Sequence, residues 1–165
     1  MYYRRSKAPG CTYFFTLNLN NRSSSLLTDN VDSLRNSVRR VLQVHPFKIV
    51  AMVVLPEHLH AIWRLPPGDN NYPQRWSLIK AGFSRSLERV EYISRSRARK
   101  RERGIWQRRY WEHQIRDDID LTRHVDYITA VPLTFTRKTF ENPVLDRLLS
   151  DRLEAMPSDL SSRTG

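Results

Sequence analysis

The chain alternates between two hydrophobic periods. Cys11 to Asn20, "CTYFFTLNLN", is aromatic and β-branched with a rough two-residue alternation, which predicts a strand. "NRSSSLL" supplies turn residues. Val31, Leu34, Val38, Val41 and Leu42 then recur at helical spacing, with Thr28 or Asp29 as the N-cap and His45-Pro46 as the stop. Phe47 to Pro56 is a nearly continuous apolar run, as a central strand requires. Glu57 marks a tight turn, and His58 to Leu65 alternates as the partner strand of a hairpin. "PPGDNNYP" is a loop. A second helix is predicted from Arg75 to about Ile93, with Trp76, Ile79, Phe83, Leu87 and Val90 on one face. "GIWQRRYWEHQI" reads as one or two short aromatic strands. Asp117 or Asp118 then caps a third helix, whose apolar face is Leu121, Val125 and Ile128 and whose stop is Pro132. A weak amphipathic helix and a polar tail follow.

Strand, helix, strand, strand, helix, strand is the order of a ferredoxin-like α+β domain. Its antiparallel sheet carries helices on one face and leaves the other for a ligand, with the third helix beside it. The 165 residues suit one domain, expected over 1–131, followed by a partly disordered tail over 132–165. The single cysteine, Cys11, favours a reducing compartment. The N-terminal residues lack the apolar core of a signal peptide, and no run is long enough to span a membrane. A soluble, cytoplasmic protein is expected.

Charge narrows the choice of partner. The formal net charge is +11 and the isoelectric point about 10.4. In a small cytosolic protein this points to nucleic acid, and hence to the nucleoid; an anionic membrane surface is the rival, but no long basic amphipathic helix supports it. The cations cluster. Between Ser94 and Tyr110 stand Arg95, Arg97, Arg99, Lys100, Arg101, Arg103, Arg108 and Arg109, against Glu102 alone. Such a segment binds phosphate backbones even when flexible.

Candidate chemistry sits in "LPEHLHAIW". Strand alternation puts His58 and His60 on one face and Leu59, Ala61, Trp63 and Leu65 on the other. The apolar set belongs under the helices, so the imidazoles belong on the ligand face. Two imidazoles on a rigid strand can chelate one divalent cation, although the same spacing suits two partly exposed histidines. For a nucleophile, Cys11 has no evident base beside it, which leaves seven tyrosines. Tyr127 forms a polar stripe with Arg123 and His124, off the apolar face of the third helix. Its alternative role is to pack its ring at the helix edge.

With those residues in view, "VVLPEHLHAIWRLP" resembles the histidine–hydrophobe–histidine (HUH) motif of single-tyrosine transposases. "WQRRYWEHQIRDDIDLTRHVDYI" and "YFFTLNL" resemble the REP-associated tyrosine transposase branch of that superfamily. The resemblance runs from about residue 3 to residue 128. It implies a ferredoxin-like HUH endonuclease domain in which His58 and His60 bind Mg²⁺ or Mn²⁺ and Tyr127 is the nucleophile. It also implies a substrate: single-stranded DNA bearing hairpins of the repetitive extragenic palindrome type, held through a 5′-phosphotyrosine link. The chain departs from the family after "DYI". Where an Asn-Pro and a Val-Lys-His-Gly-like run are expected, it reads "TAVPLTFTRK". Val131 stands at the third-ligand position and has no donor atom, so that water or Glu57 would have to complete the metal shell.

Two other readings follow. One is a relative with impaired cleavage that binds hairpin DNA. The other is a non-catalytic RNA-binding domain of the same fold, which requires exposed aromatics on the central strands. His58 and His60 on that face argue against it. A two-histidine phosphoesterase would need a second H-x-[ST] motif, and the sequence has none.

Overall fold

A computed structural model describes residues 8–130. The elements are β1 (Thr12–Asn18), α1 (Leu26–Asp29), α2 (Val31–Val44), β2 (Lys48–Val54), β3 (His58–Arg64), α3 (Tyr72–Ser86), α4 (Arg95–Arg99), β4 (Trp111–Gln114) and α5 (Asp118–Thr129). The strands form one antiparallel sheet in the order β2-β3-β1-β4. This is the ferredoxin-like α+β arrangement expected from the element order. The tail over 132–165 lies outside the described residues.

Two apolar layers sandwich the sheet. On the first face Tyr13, Phe15 and Leu17 of β1 and Leu59, Ala61 and Trp63 of β3 pack beneath α2 and α3. Trp63 stacks on Trp76 of α3, with ring centroids 3.9 Å apart. The second face holds Phe14, Ala51, Val53 and Ile62, covered by Ile128 of α5. A bulge between Ile49 and Ala51 lets Val50 and Ala51 both serve that second layer. The β2–β3 turn closes through Leu55 N–H donating to the His58 carbonyl, at 2.8 Å.

Helix ends differ from the sequence-based expectation for local reasons. Thr28 and Asp29 do not cap α2; they belong to the single turn of α1, and Asn30 stands at the cap. Helix α3 begins before Arg75, because Asn71 caps it by accepting from Gln74 N–H and Pro73 occupies the first turn. Arg75 instead lies buried, donating to both carboxylate oxygens of Asp69 and to the carbonyls of His45, Pro46 and Asn71. Helix α3 ends at Ser86, well short of Ile93, and Val90 is exposed rather than on an apolar face. The cause is Arg103. Its guanidinium donates to the carbonyls of Ser84, Leu87 and Glu88 and pairs with Glu91, so it satisfies the oxygens that a longer helix would have used. Helix α5 begins as expected, with the Asp117 carboxylate accepting from Asp120 N–H at 2.8 Å.

Candidate active site and nucleic-acid surface

Strand register assembles the site. His60 of β3 lies across from Thr16 of β1, and His58 lies across from Asn18. Both histidines face the second layer, where α5 packs. The His58 and His60 ring centroids are 5.0 Å apart, and the His60 and Tyr127 centroids are 5.1 Å apart. Residues separated by 67 positions thus meet, because α5 crosses the sheet over β2 and β3. Ile128 is the buried anchor of α5; its neighbour Tyr127 is left 55% exposed beside the histidines.

The other ring nitrogens of the histidine pair are already engaged. His58 Nδ1 lies 2.8 Å from Glu57 Oε1, and Arg22 lies 3.5 Å from the same oxygen. Burial alone would raise the Glu57 carboxyl, but the hydrogen bond with His58 and the charges of His58 and Arg22 outweigh it and hold the group below its ordinary value. An ionised carboxylate only accepts, so His58 donates through Nδ1–H, and Nε2 is the nitrogen left to face a ligand. His60 Nδ1 lies 2.9 Å from Thr16 Oγ1, which can play the same accepting part. Burial, helped by the charge of His58, lowers the His60 pKa to about 4, so this ring is neutral at physiological pH. Neutral imidazoles oriented through their second nitrogens are what a divalent metal requires. The pair therefore fits a metal ion. Among the described residues no third His, Cys, Asp or Glu joins it in a donor group, and Val131 lies outside them.

Beside Tyr127 is a cavity of about 390 Å³, lined by Phe14, Thr16, Trp111, Arg123, His124 and Tyr127. Trp111 is 48% exposed at the sheet edge. The aromatics of the central strand β1, by contrast, are buried: Tyr13, Phe14 and Phe15 are at most 3% exposed. That is not the stacking platform an RNA-binding sheet of this fold presents.

No protein-family model matches the chain. A REP-associated tyrosine transposase of Escherichia coli is 44% identical over 131 residues, which cover 79% of this chain and 72% of that protein. A Haemophilus influenzae protein, provisionally given the same description, is 42% identical over 132 residues, covering 79% and 75%. The chain belongs to the REP-associated tyrosine transposases. A solved structure of a REP-associated tyrosine transposase bound to a REP hairpin superposes with a TM-score of 0.69 at 42% identity, covering 81% of this chain and 73% of that one.

In this transposase the arginine segment lies apart from the histidines and Tyr127. Arg97, Arg101, Arg103 and Arg108 line a second cavity of about 710 Å³ with Lys80, Arg85 and Arg89, along α3 on the first sheet face. Arg95, Arg99, Lys100, Arg101, Arg108 and Arg109 are exposed. Arg108 pairs with Glu102, at 2.8 Å. Arg103 differs from the rest. Its side chain is 11% exposed, pairs with Glu91 and donates to the end of α3, so its guanidinium is engaged within the protein. Sequence reasoning also missed Thr16, His113 and Asp120. Only pairing between distant strands brings Thr16 to His60, and no spacing rule marks it.

Proposed function

We propose that this transposase cleaves and rejoins single-stranded hairpin DNA through a covalent link to Tyr127. The observation that carries the reading is the grouping of the Tyr127, His60 and His58 rings, each about 5 Å from the next. The Tyr127 hydroxyl gives up its proton to solvent as its oxygen attacks a DNA phosphate. A bond forms between the tyrosine oxygen and phosphorus as the bond from phosphorus to the 3′-oxygen breaks. The 3′-oxygen takes up a proton and leaves as a hydroxyl, and the 5′-phosphate stays on the enzyme. Reversal by a 3′-hydroxyl rejoins a strand without a nucleotide cofactor, because the phosphodiester energy is retained. An unperturbed tyrosine has a pKa near about 10 and is a weak nucleophile at neutral pH. A Mg²⁺ or Mn²⁺ ion held by His58 and His60 would supply positive charge at the phosphate. Arg123, which lines the cavity beside Tyr127, adds a cation there.

The substrate is read from the relatives: a family named for REP sequences and a neighbour bound to a REP hairpin support a palindromic DNA hairpin as the ligand. Arg95, Arg97, Arg99, Lys100, Arg101, Arg108 and Arg109 contact its backbone. The test is incubation with single-stranded hairpin DNA and Mn²⁺, followed by a denaturing gel. Wild-type protein forms a covalent adduct, while Tyr127→Phe forms none and binds DNA nearly as well. An adduct with Tyr127→Phe would transfer the role to another tyrosine, Tyr110 first. Among the described residues the histidines form no three-donor group with another His, Cys, Asp or Glu, which favours a second reading: hairpin binding with impaired cleavage. Binding by wild-type protein without an adduct would select it.

A further inference from the structure

A second group of metal-type donors stands on the same sheet face, beyond the Phe14 ring. The chain after Trp111 places His113 on β4, opposite Phe14 of β1. Asp120 and His124 follow on α5, one helical turn apart and therefore on one side of the helix. His113 Nε2 lies 2.8 Å from Asp120 Oδ2, and His124 Nδ1 lies 3.2 Å from Asp120 Oδ1. The ligand atoms of all three residues fall within 4.8 Å of one another. Their side chains are about one-fifth to one-quarter exposed, so an ion could reach them from solvent.

We propose that His113, Asp120 and His124 form a second divalent-metal site, selective for a zinc-type ion, which clamps the tyrosine-bearing helix α5 to strand β4. Two imidazoles and one carboxylate suit Zn²⁺ and its transition-metal neighbours far better than Mg²⁺, which prefers oxygen ligands. The carboxylate–imidazole separations of 2.8 and 3.2 Å bring the donors close enough for small side-chain rotations to let them share one ion, whose bonds run about 2.0–2.2 Å. The remaining movement is closure of the two imidazoles, whose rings now stack at 4.8 Å. His124 Nδ1 also lies 2.8 Å from the Asp120 carbonyl, and the backbone N–H of Arg116 donates to Asp120 Oδ2. The metal would displace the protons shared between Asp120 and the rings. Water completes the shell.

The site is separate from the histidine pair. Phe14 stands between the two, its centroid 5.5 Å from that of His60 and 4.7 Å from that of His124. One ion cannot serve both. A clamp also has a task here. Helix α5 carries Tyr127 but fully buries only Ile128, a slender attachment for a helix that must hold a nucleophile in place. Metal binding at the clamp does not depend on Tyr127 cleaving DNA.

The test is titration of the full chain with Zn²⁺ alone, without DNA, by calorimetry and thermal melting. The His58→Ala/His60→Ala protein should still bind one equivalent and melt higher when loaded. The His113→Ala/His124→Ala protein, and Asp120→Asn separately, should lose that equivalent. Should the first variant take up no Zn²⁺, or the second bind as many equivalents as wild type, the site does not exist. If the His113/His124 variant fails to fold, imidazole ¹⁵N spectra of the wild-type protein decide. Zn²⁺ must move the ring signals of His113 and His124, and signals that stay still overturn the proposal.

Discussion

Thr16 and Glu57 each hold one nitrogen of a histidine whose other nitrogen is free for a ligand. Removing such a partner typically costs a metal site roughly 10–100-fold in affinity, because the ring loses its orientation and its preferred tautomer. Thr16→Val keeps the side-chain shape and deletes only the acceptor opposite His60. It should therefore weaken Mn²⁺ binding at the histidine pair by about that factor, while the melting temperature stays close to wild type. Calorimetry on the two proteins measures it, and equal affinities would mean that His60 is held by packing against Phe14 instead. At this scale the sequence was partly legible. His58 and His60 could be placed on one face because strand alternation is a local rule. Thr16 could not, since the hydrogen bond that makes it matter spans 44 residues and depends on register. His113 and Asp120 were hidden for the same reason: neither spacing is a motif until β4 and α5 are packed together.

Between elements, the connection from α3 to β4 is organised by Arg103 and Glu91 rather than by apolar periodicity. Trp76, Ile79 and Phe83 mark the buried face of α3 correctly, but Val90 continues the helical period and is nonetheless exposed. Periodicity cannot see that an arginine 16 residues beyond Leu87 will take the last carbonyls of the helix. Gly104 belongs to the same device. It has φ +79°, and an added Cβ would lie 3.1 Å from the Arg97 side chain, so the chain can turn there only without one. The hydrogen bond from Arg103 holds the Glu91 carboxyl down at about 2, against about 4.3 in an unfolded chain. A depressed carboxylate adds stability that is complete above the unfolded value and is lost as pH falls through the folded one. Wild-type protein should therefore melt above Glu91→Gln by a constant margin from about pH 5 upward, and the margin should shrink as pH approaches about 2. Melting curves of both proteins across that range test it. A margin independent of pH would show that Glu91 acts through packing and not through its charge.

Across the whole molecule, the clustered positive charge and the proposed cleavage site occupy different places. The arginine segment lines a cavity along α3 on one sheet face, and the histidines and Tyr127 occupy the other. Clustering of the cations was plain from the sequence, because charge is additive along a chain. The separation of Arg103 from the exposed groups was not, because its pairing with Glu91 is a tertiary event. The division makes two kinds of variant separable. Arg97, Arg99, Lys100 and Arg101 can be neutralised together while Arg103 and Glu91 stay in place, at the cost of the bond from Arg97 to Asn20. Each cation that no longer neutralises a phosphate should reduce the slope of log K against log salt by about 0.7 on single-stranded DNA. The quadruple variant should then bind all hairpin sequences more weakly, with a slope flatter by up to about 3 and a melting temperature near wild type. Arg103→Gln should behave in the opposite way. It opens the end of α3 and leaves Glu91 without its partner, so it should lower the melting temperature while the salt slope of the folded protein stays within about 0.7 of wild type, the share of a single phosphate. Fluorescence titrations at several salt concentrations, with melts on the same samples, compare the two. An unchanged slope in the quadruple variant would place the phosphate-binding cations elsewhere, with Lys80 and Arg85 of α3 and Arg89 just beyond it as the next candidates on that cavity wall.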